Sequence, residues 1–250
     1  MVDASPPLDP ASLDADVLLL DAGNTLVFLD AAAAAQVLDD AGIELTAERL
    51  AATMGAAHRG YAERVTSGGS HEDGWRSFMA TWLRATGVSA AAVPAAIDHL
   101  RREHDRFNLW RRLPADVRPA LTAARQAGLR LGIISNSEGQ LLALLDRLEL
   151  TDAFDVVLDS GVEGLRKPDP ALFHRATDRL GVAPSRCLYA GDIPEVDVDG
   201  ARRAGMKAAL VDALGLHPAY DDAPRFESTA SLIDAMIDAR DHLRRGARDA

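Results

Sequence analysis

Apolar and polar residues alternate along the chain in two ways. Five short apolar runs, each ending in polar or small residues, lie at residues 17–20, 129–135, 154–160, 186–192 and 207–212. Segments between them place apolar residues at helical spacing, and Gly128 and Gly181 stand where two such helices would end. Short strands that alternate with helices form βαβ units around a parallel sheet that is buried on both faces. The sequence therefore predicts an α/β fold with a doubly wound parallel sheet.

One long segment interrupts this alternation. Between residues 30 and 112 the apolar positions follow helical spacing, and no strand pattern is convincing. This segment contains the three tryptophans of the chain, Trp75, Trp82 and Trp110. We expect it to be an inserted α-helical domain, with a core domain built from residues 15–29 and 113–250. The first 14 residues are acidic and rich in proline, and there we expect a loose arm.

Composition narrows the possible partners. The 250 residues carry a formal net charge of -11, which argues against nonspecific nucleic-acid binding because that requires clustered lysine and arginine. No apolar run approaches the roughly 20 residues of a membrane helix, and the N-terminus lacks a signal-peptide pattern. Cys187 is the only cysteine, which fits a reducing compartment. We expect a cytoplasmic monomer or homodimer that binds neither nucleic acid nor membranes.

Three aspartates follow the ends of predicted strands. Asp21 comes directly after the first strand, and Asp192 and Asp197 follow the fourth. Because ligands of doubly wound sheets bind outside the carboxyl ends of the strands, we expect these carboxylates to lie together at a site. A hard divalent cation resolves their mutual repulsion, and carboxylate oxygens are ligands that Mg²⁺ prefers. We therefore expect Mg²⁺ as a cofactor.

Three further polar residues stand at the same predicted edge. Ser135 and Asn136 end the second strand, where they could also cap a helix predicted from residue 138. Lys167 follows the third strand and is one of only two lysines in the chain. A hydroxyl and an ammonium can hold a phosphoryl group while Asp21 attacks it and forms an aspartyl-phosphate. We expect Asp21, Ser135 and Lys167 to be catalytic, and Ser135, Asn136 and Lys167 to bind the substrate.

The four motifs DAGNTL, ISNS, RKPDP and GDIPEVD, in this order, resemble those of the haloacid dehalogenase (HAD) superfamily. The resemblance covers roughly residues 15–245, and the helical insert lies where subfamily I of the superfamily has a C1-type cap. It implies a hydrolase with a Rossmann-like core domain and a helical cap domain. It also implies that Asp21 is the nucleophile and that Ser135 binds the phosphoryl oxygens. Lys167 would stabilise the negative charge on the nucleophile and on the phosphoryl group.

The resemblance implies a set of metal ligands as well. Asp21 and Asp192 would bind Mg²⁺ through their carboxylates, and Asp197 would help directly or through a water molecule. The backbone carbonyl of Gly23 would be the remaining protein ligand. The expected activity is that of a Mg²⁺-dependent phosphohydrolase acting on a small phosphorylated metabolite.

Gly23 is also the main departure from the family pattern. Phosphatases of the superfamily usually have an aspartate at this position, which acts as general acid toward the leaving group and then as base toward water. Glycine keeps the backbone carbonyl but removes the proton transfer, an effect worth about 10²–10⁴ in rate. Asn24 follows, and asparagine tolerates the left-handed backbone that such a turn requires.

Three explanations of Gly23 remain open. In the first, the enzyme is a phosphatase or phosphotransferase whose substrate has a good leaving group, or whose acid comes from elsewhere. The candidates for that acid are Glu138, Glu195, His58 and His71.

In the second, the enzyme hydrolyses carbon–halogen bonds, because halide needs no proton and haloacid dehalogenases also lack the second aspartate. Those enzymes do not keep the Gly191–Asp192 pair, and they need an arginine soon after the first motif, where the nearest is Arg49. A phosphonate hydrolase is excluded because it needs a cap lysine and none occurs between residues 30 and 112. In the third, the chain is a weakly catalytic or non-catalytic relative that binds a phosphorylated ligand or a partner protein.

The tryptophans of the insert carry two interpretations. Trp75, Arg76 and Trp82 are candidates for selecting the substrate if the insert closes over the site. Tryptophan in an amphipathic helix is more often part of a hydrophobic core, and we favour that interpretation for each of them.

Overall fold

The computed structural model describes residues 9–66 and 71–246 of the chain. Its strands are β1 (Val17–Leu20), β2 (Phe28–Leu29), β3 (Trp110–Arg112), β4 (Arg130–Ser135), β5 (Val156–Asp159), β6 (Cys187–Gly191), β7 (Lys207–Val211) and β8 (Arg225–Phe226). Six of these strands form one sheet in the order β5-β4-β1-β6-β7-β8, and every neighbouring pair is parallel. The predicted α/β fold with a doubly wound parallel sheet is confirmed.

Helices follow most of the strands. They are α1 (Pro10–Leu13), α2 (Ala31–Asp40), α3 (Ala47–Ala52), α4 (Met54–Thr66), α5 (His71–Ala85), α6 (Val93–Arg106), α7 (Val117–Gln126), α8 (Leu141–Arg147), α9 (Ser160–Glu163), α10 (Pro170–Leu180), α11 (Asp199–Arg203) and α12 (Thr229–Gly246). The two predicted glycine ends are confirmed, because Gly128 just beyond α7 has φ 82° and Gly181 at the end of α10 has φ 65°.

Both faces of the sheet are buried, and β1 shows why its sequence is an unbroken apolar run. Leu18 and Leu20 pack on one face with α1, α7, α8 and α12. Val17 and Leu19 point to the other face and pack with α10 and α11. Successive side chains of a strand point to opposite faces, so a strand covered on both sides must be apolar at every position.

The order of the strands determines where a ligand can bind. The chain passes from β1 to β4 and β5 on one side, and then crosses to β6, β7 and β8 on the other side. A crevice opens outside the carboxyl ends of the strands where the order reverses, and here that point lies beside β1. The register pairs Leu20 of β1 with Ile133 and Ala190, so the segments that follow β1, β4 and β6 begin side by side.

Helices α2 to α6 lie between β2 and β3 in the chain and share a hydrophobic cluster of their own. Trp82 is fully buried in this cluster, and its Nε1 donates to the carbonyl of Leu50 at 2.7 Å. The prediction that residues 30–112 contain no strand is wrong, because Trp110–Arg112 pairs antiparallel with Phe28–Leu29. Strands of two and three residues are too short to show an alternating pattern, and β8 was missed for the same reason.

The expected loose arm is also wrong over the described residues 9–14. Asp9 caps α1 through a hydrogen bond to the backbone N–H of Ala11, and Leu13 is fully buried. Lys207 Nζ donates to the carbonyl of Ala11 at 2.7 Å and to that of Asp14. One apolar side chain and one lysine therefore hold this short segment on the sheet, and residues 1–8 lie outside the described part. In the ranges that the structure covers, the helices do not combine the length and the apolar character required to cross a membrane.

Candidate active site

A buried lysine stands at the centre of the polar groups at the carboxyl ends of the strands. Lys167 is 2% exposed, and its Nζ donates to Asp21 Oδ1 at 2.6 Å, to Tyr189 OH at 2.7 Å and to Asp197 Oδ1 at 2.8 Å. These contacts use all three donors of an ammonium group. Asp21, Lys167 and Asp197, which the sequence places on three different segments, therefore meet at one point.

Three carboxylates lie together here, and two of them share the Lys167 ammonium. Asp21, Asp192 and Asp197 are all buried, and each places one ligand atom within 4.8 Å of those of the other two. Burial, followed by the carboxylates of Asp197 and Asp192, raises the pKa of Asp21 to about 7, although Lys167 opposes the shift. This buried excess of negative charge and oxygen donors fits a hard divalent cation, which takes oxygen ligands.

Gly191 permits the close approach of Asp197. After β6 the chain forms a single π-type turn over Pro194–Val198 that directs Asp197 back toward the strand end. Asp197 Oδ2 accepts a hydrogen bond from the Ile193 backbone at 2.9 Å. A Cβ on Gly191 would lie 2.3 Å from Asp197 Cγ, so no other residue can stand there while Asp197 keeps this position.

The insert supplies a histidine to the same cluster. His58 on α4 is 3% exposed, and its Nε2 lies 2.5 Å from Asp192 Oδ2. Burial alone would lower the pKa of His58, but attraction to the Asp192 carboxylate and hydrogen bonding with it outweigh burial, so the pKa is raised. Asn24 Nδ2 also donates to Asp192 Oδ2 at 3.3 Å, and Asn24 has the expected left-handed φ of 53°.

Ser135 and Asn136 lie beside Lys167. Both line the same cavity as Asp21, and Ser135 is 5% exposed. Asn136 clamps the backbone of Lys167, because its Oδ1 accepts from Lys167 N at 2.8 Å and its Nδ2 donates to Lys167 O at 3.0 Å. Helix α8 begins only at Leu141, and the carboxylate of Asp159 accepts the Leu141 N–H at 3.0 Å. The alternative that Ser135 and Asn136 cap this helix is therefore wrong.

Tyr189 belongs to the site, although the sequence did not predict it. Its hydroxyl accepts from Lys167 and donates to the carbonyl of Ile134 at 3.0 Å, with Asp197 Oδ1 at 3.2 Å as a second acceptor. Burial, together with nearby carboxylates, raises the pKa of Tyr189 well above its ordinary value, so the phenol stays neutral. Tyr189 lies inside an apolar strand, where a tyrosine predicts packing, and only the fold brings its hydroxyl to the lysine.

The cluster borders a cavity of about 120 Å³. Residues of the strand ends line this cavity together with side chains of α4, α5 and α6, and those of the strand ends include Asp21, Gly23, Ser135, Lys167 and Asp192.

The residues considered as alternative proton donors differ in whether they line this cavity. Glu138 also lines it, but Arg101 Nη1 and Nη2 bind its two oxygens at 2.9 and 2.5 Å, which favours the ionised carboxylate. Glu195 is exposed, and the His71 side chain lies outside the described part. Trp75 and Trp82 both belong to the buried core of the helices, as favoured, and Trp75 also lines the cavity. Arg76 pairs on the surface with Glu72.

A family model described as haloacid dehalogenase-like hydrolase matches residues 15–205 of the chain. The chain belongs to this family of hydrolases.

Relatives within the family differ in how much of their length they share with this hydrolase. Phosphatase MT3486 of Mycobacterium tuberculosis (strain CDC 1551 / Oshkosh) is 44% identical over 102 residues, which cover 40% of this chain and 46% of that protein. Haloacid dehalogenase-like hydrolase domain-containing protein 3 of Bos taurus is 29% identical over 210 residues, or 81% of this chain and 83% of that protein. The fold matches that of the HAD-hydrolase YfnB from Bacillus subtilis, crystallised with magnesium, with a TM-score of 0.65 at 19% identity over 89% of this chain and 98% of that one.

Two glycines of this hydrolase's site are predicted to respond differently to an added methyl group. Gly191→Ala forces Asp197 away from the strand end, so we expect a melting temperature about 2–10 °C lower, as overpacking of a well-packed site implies. Gly23→Ala is the matched control, because its Cβ would contact Trp110 at an ordinary 3.6 Å, and its melting temperature should stay within about 2 °C. Thermal unfolding followed by circular dichroism measures both. Equal melting temperatures for the two variants would contradict the close contact described here.

Proposed function

We propose that the chain is a Mg²⁺-dependent phosphohydrolase that acts on a small phosphorylated metabolite through an aspartyl-phosphate. The observation that carries the proposal is the buried Lys167 ammonium shared by Asp21 and Asp197, with a third carboxylate, Asp192, completing a cluster that faces a cavity. A cation and a set of oxygen donors of this kind suit a transferring phosphoryl group, whose charge is spread over several oxygens. The name of the mycobacterial relative, a phosphatase, agrees with this reaction class.

We assign the metal to the carboxylates of Asp21, Asp192 and Asp197 and to the backbone carbonyl of Gly23. When bound, Mg²⁺ would neutralise the buried negative charge and attract the phosphoryl oxygens. The raised pKa of Asp21 supports this assignment, because burial and then the neighbouring carboxylates of Asp197 and Asp192 disfavour its charge in the protein alone, and a bound cation would offset both effects.

The protein side chains have separate parts in the proposed reaction. The Asp21 carboxylate attacks phosphorus, the new O–P bond forms as the ester P–O bond breaks, and the electron pair leaves with the ester oxygen. Lys167 and Ser135 hold the phosphoryl oxygens, and Asn136 holds the peptide of Lys167 in place. Water then attacks phosphorus, the bond to Asp21 breaks, and inorganic phosphate departs.

We propose that residues 30–112 form a cap domain over a core domain of residues 15–29 and 113–250. The separate hydrophobic cluster of α2 to α6 supports this division. Two contacts hold the insert against the site, namely His58 with Asp192 and Arg101 with Glu138. A cap in this position would exclude water from the reaction and contribute to substrate selection.

The proposed reaction predicts how phosphate release depends on the metal and on the leaving group. Purified protein should release phosphate from acyl and aryl phosphates only with Mg²⁺, and more slowly from alkyl phosphates, because position 23 carries no proton donor. Asp21→Asn should abolish turnover, since the amide is a poor nucleophile of almost the same shape. Phosphate release with and without Mg²⁺, compared with halide release from a 2-haloacid, measures the outcome. Metal-independent halide release would instead establish the dehalogenase alternative, and unchanged turnover by Asp21→Asn would show that the nucleophile is another residue.

The raised pKa of Asp21 predicts that Mg²⁺ binding depends on pH. Asp21 has a pKa of about 7 in the protein alone and must lose its proton to bind a metal ion. The affinity for Mg²⁺ should therefore fall as the pH drops below about 7, because protons compete with the cation for this carboxylate. Titration calorimetry between pH 5.5 and about 8.5 measures the slope of the logarithm of the Mg²⁺ binding constant against pH. Asp21→Asn should lower it by about one proton for each ion bound, and an identical slope in the variant would refute the role of Asp21.

The absence of a side chain at Gly23 predicts that an acidic residue placed there will increase the rate. A side chain fits there, because its Cβ would meet Trp110 only at 3.6 and 3.7 Å. Gly23→Asp should raise kcat for alkyl phosphates by about 10²-fold or more, because the carboxyl group can protonate the leaving oxygen. Gly23→Asn is the matched control, since it has nearly the same shape without an acidic proton, and it should give no gain. Steady-state kinetics on one alkyl phosphate decides the matter, and equal rates for both variants would indicate that the proton comes from elsewhere.

A further inference from the structure

A continuous wall of aromatic rings lines the cavity beyond the carboxylates. Neighbouring ring centroids lie 6.4 Å apart for Tyr61 and Phe78, 5.3 Å for Phe78 and Trp110, 5.9 Å for Trp110 and His104, and 5.4 Å for His104 and Trp75. All five residues line the cavity. We call these five rings the aromatic wall.

The aromatic wall begins beside the reacting groups. Trp110 is the ring nearest to Gly23, with its Cδ1 3.6 Å from the place where a Cβ of Gly23 would stand. Gly23 is separated by one residue from Asp21, whose carboxylate contacts the Lys167 ammonium at 2.6 Å. A phosphoryl group held at Asp21 would therefore place its leaving group against Trp110 and the rings that follow it.

The rest of the cavity gives a charged leaving group little support. Val27, Leu141, Leu144, Ile193 and Val196 line it with aliphatic side chains, and the polar side chains that line it beside them, those of Asn108, Ser137 and Gln140, are uncharged. Glu138 also lines it, but both of its oxygens already bind Arg101. Burying a charge without a partner is strongly unfavourable, so a second carboxylate or ammonium on the substrate would be rejected here. The aromatic wall favours an uncharged and planar leaving group, because rings stack well on aromatic side chains.

The chemistry at position 23 points to the same class of leaving group. Without a proton donor at Gly23, the ester oxygen must depart as an anion. A phenol, like the tyrosine side chain, has a pKa of about 10, whereas the pKa of simple alcohols, like that of water, is far higher. Phenolate is therefore by far the better leaving group.

We propose that the substrate is a phosphate ester of an uncharged phenol-type alcohol, whose ring packs against the aromatic wall. This inference rests on the proposed phosphohydrolase function. In the step it describes, the Asp21 O–P bond forms and the P–O(aryl) bond breaks. The electron pair stays on the aryl oxygen, and the phenolate takes a proton from water after it departs.

Four substrates separate the ring contacts from the leaving group. Phenyl phosphate has both the ring and the good leaving group, benzyl phosphate has a ring on an alkyl oxygen, cyclohexyl phosphate has neither, and acetyl phosphate has only the good leaving group. With Mg²⁺ present, kcat/KM should be highest for phenyl phosphate, and benzyl phosphate should have a lower KM than cyclohexyl phosphate. A cyclohexyl or acetyl phosphate preference would overturn the inference and leave the phosphohydrolase function standing. Absence of phosphate release from all four would overturn both.

Variants of the aromatic wall give a matched comparison. Trp110→Leu and Phe78→Leu should lower kcat/KM for phenyl phosphate at least about fivefold more than for acetyl phosphate. The reason is that only phenyl phosphate has a ring that packs against the aromatic wall. Trp82→Phe changes a tryptophan of the helical core that does not belong to the aromatic wall, and should leave this ratio within about twofold of the unsubstituted protein. An equal drop for both substrates in the wall variants would overturn the assignment.

A binding measurement is independent of turnover. Phenylphosphonate and cyclohexylphosphonate match in size, and neither has an ester bond to break. Phenylphosphonate should bind about tenfold tighter in the presence of Mg²⁺ and should quench the fluorescence of Trp110 or Trp75. The advantage should disappear in Trp110→Leu. Equal affinity of the two phosphonates for the unsubstituted protein would refute the aromatic wall as a ring-binding site.

Discussion

The arrangement of the site depends on the burial of one ammonium group among more carboxylates than it can neutralise. Lys167 satisfies all its donors with Asp21, Asp197 and Tyr189, at a position that is 2% exposed. A buried ion is tolerated only when partners replace its hydration, and here the partners come from two other segments, the turn after β1 and β6 with the turn that follows it. The same group therefore tethers the Asp21 turn, the Lys167 loop and the turn after β6 to one another.

Several features of the fold hold the contacts of Lys167 in place. The parallel register starts the loops after β1, β4 and β6 side by side, and the absence of a side chain at Gly191 lets Asp197 turn back onto the strand end. Asn136 binds the Lys167 peptide through both of its amide atoms. The insert adds further contacts, because His58 reaches Asp192 and the rings of the aromatic wall line the cavity. Charged groups that can hold a phosphoryl group and aromatic rings that can pack against its leaving group thus line one cavity.

Much of this arrangement could be predicted because each functional aspartate follows a recognisable apolar strand. Asp21, Lys167, Asp192 and Asp197 were singled out from strand ends, and the structure brings all four together. Other features escaped because they have no local signature. Tyr189 has the pattern of a core residue, Trp110–Arg112 is too short to show alternation, and α1 is held by a lysine almost 200 residues away in the chain. Asn136 was expected to touch substrate, yet its contacts to the Lys167 backbone depend on two loops meeting in space.

The sequence by itself determined the α/β class, the family and the residues that stand at the strand ends, because hydrophobic periodicity and motif order are properties of local segments. It also showed that position 23 offers no acid, since a missing side chain is visible without coordinates. Only the tertiary structure decided which charges meet, that His58 rather than Glu138 or Glu195 contacts the acidic cluster, and that Trp75 lines the cavity while Trp82 does not. Those outcomes depend on distances between residues far apart in the chain. The packing of the insert against the sheet sets those distances, and no periodicity along the chain encodes them.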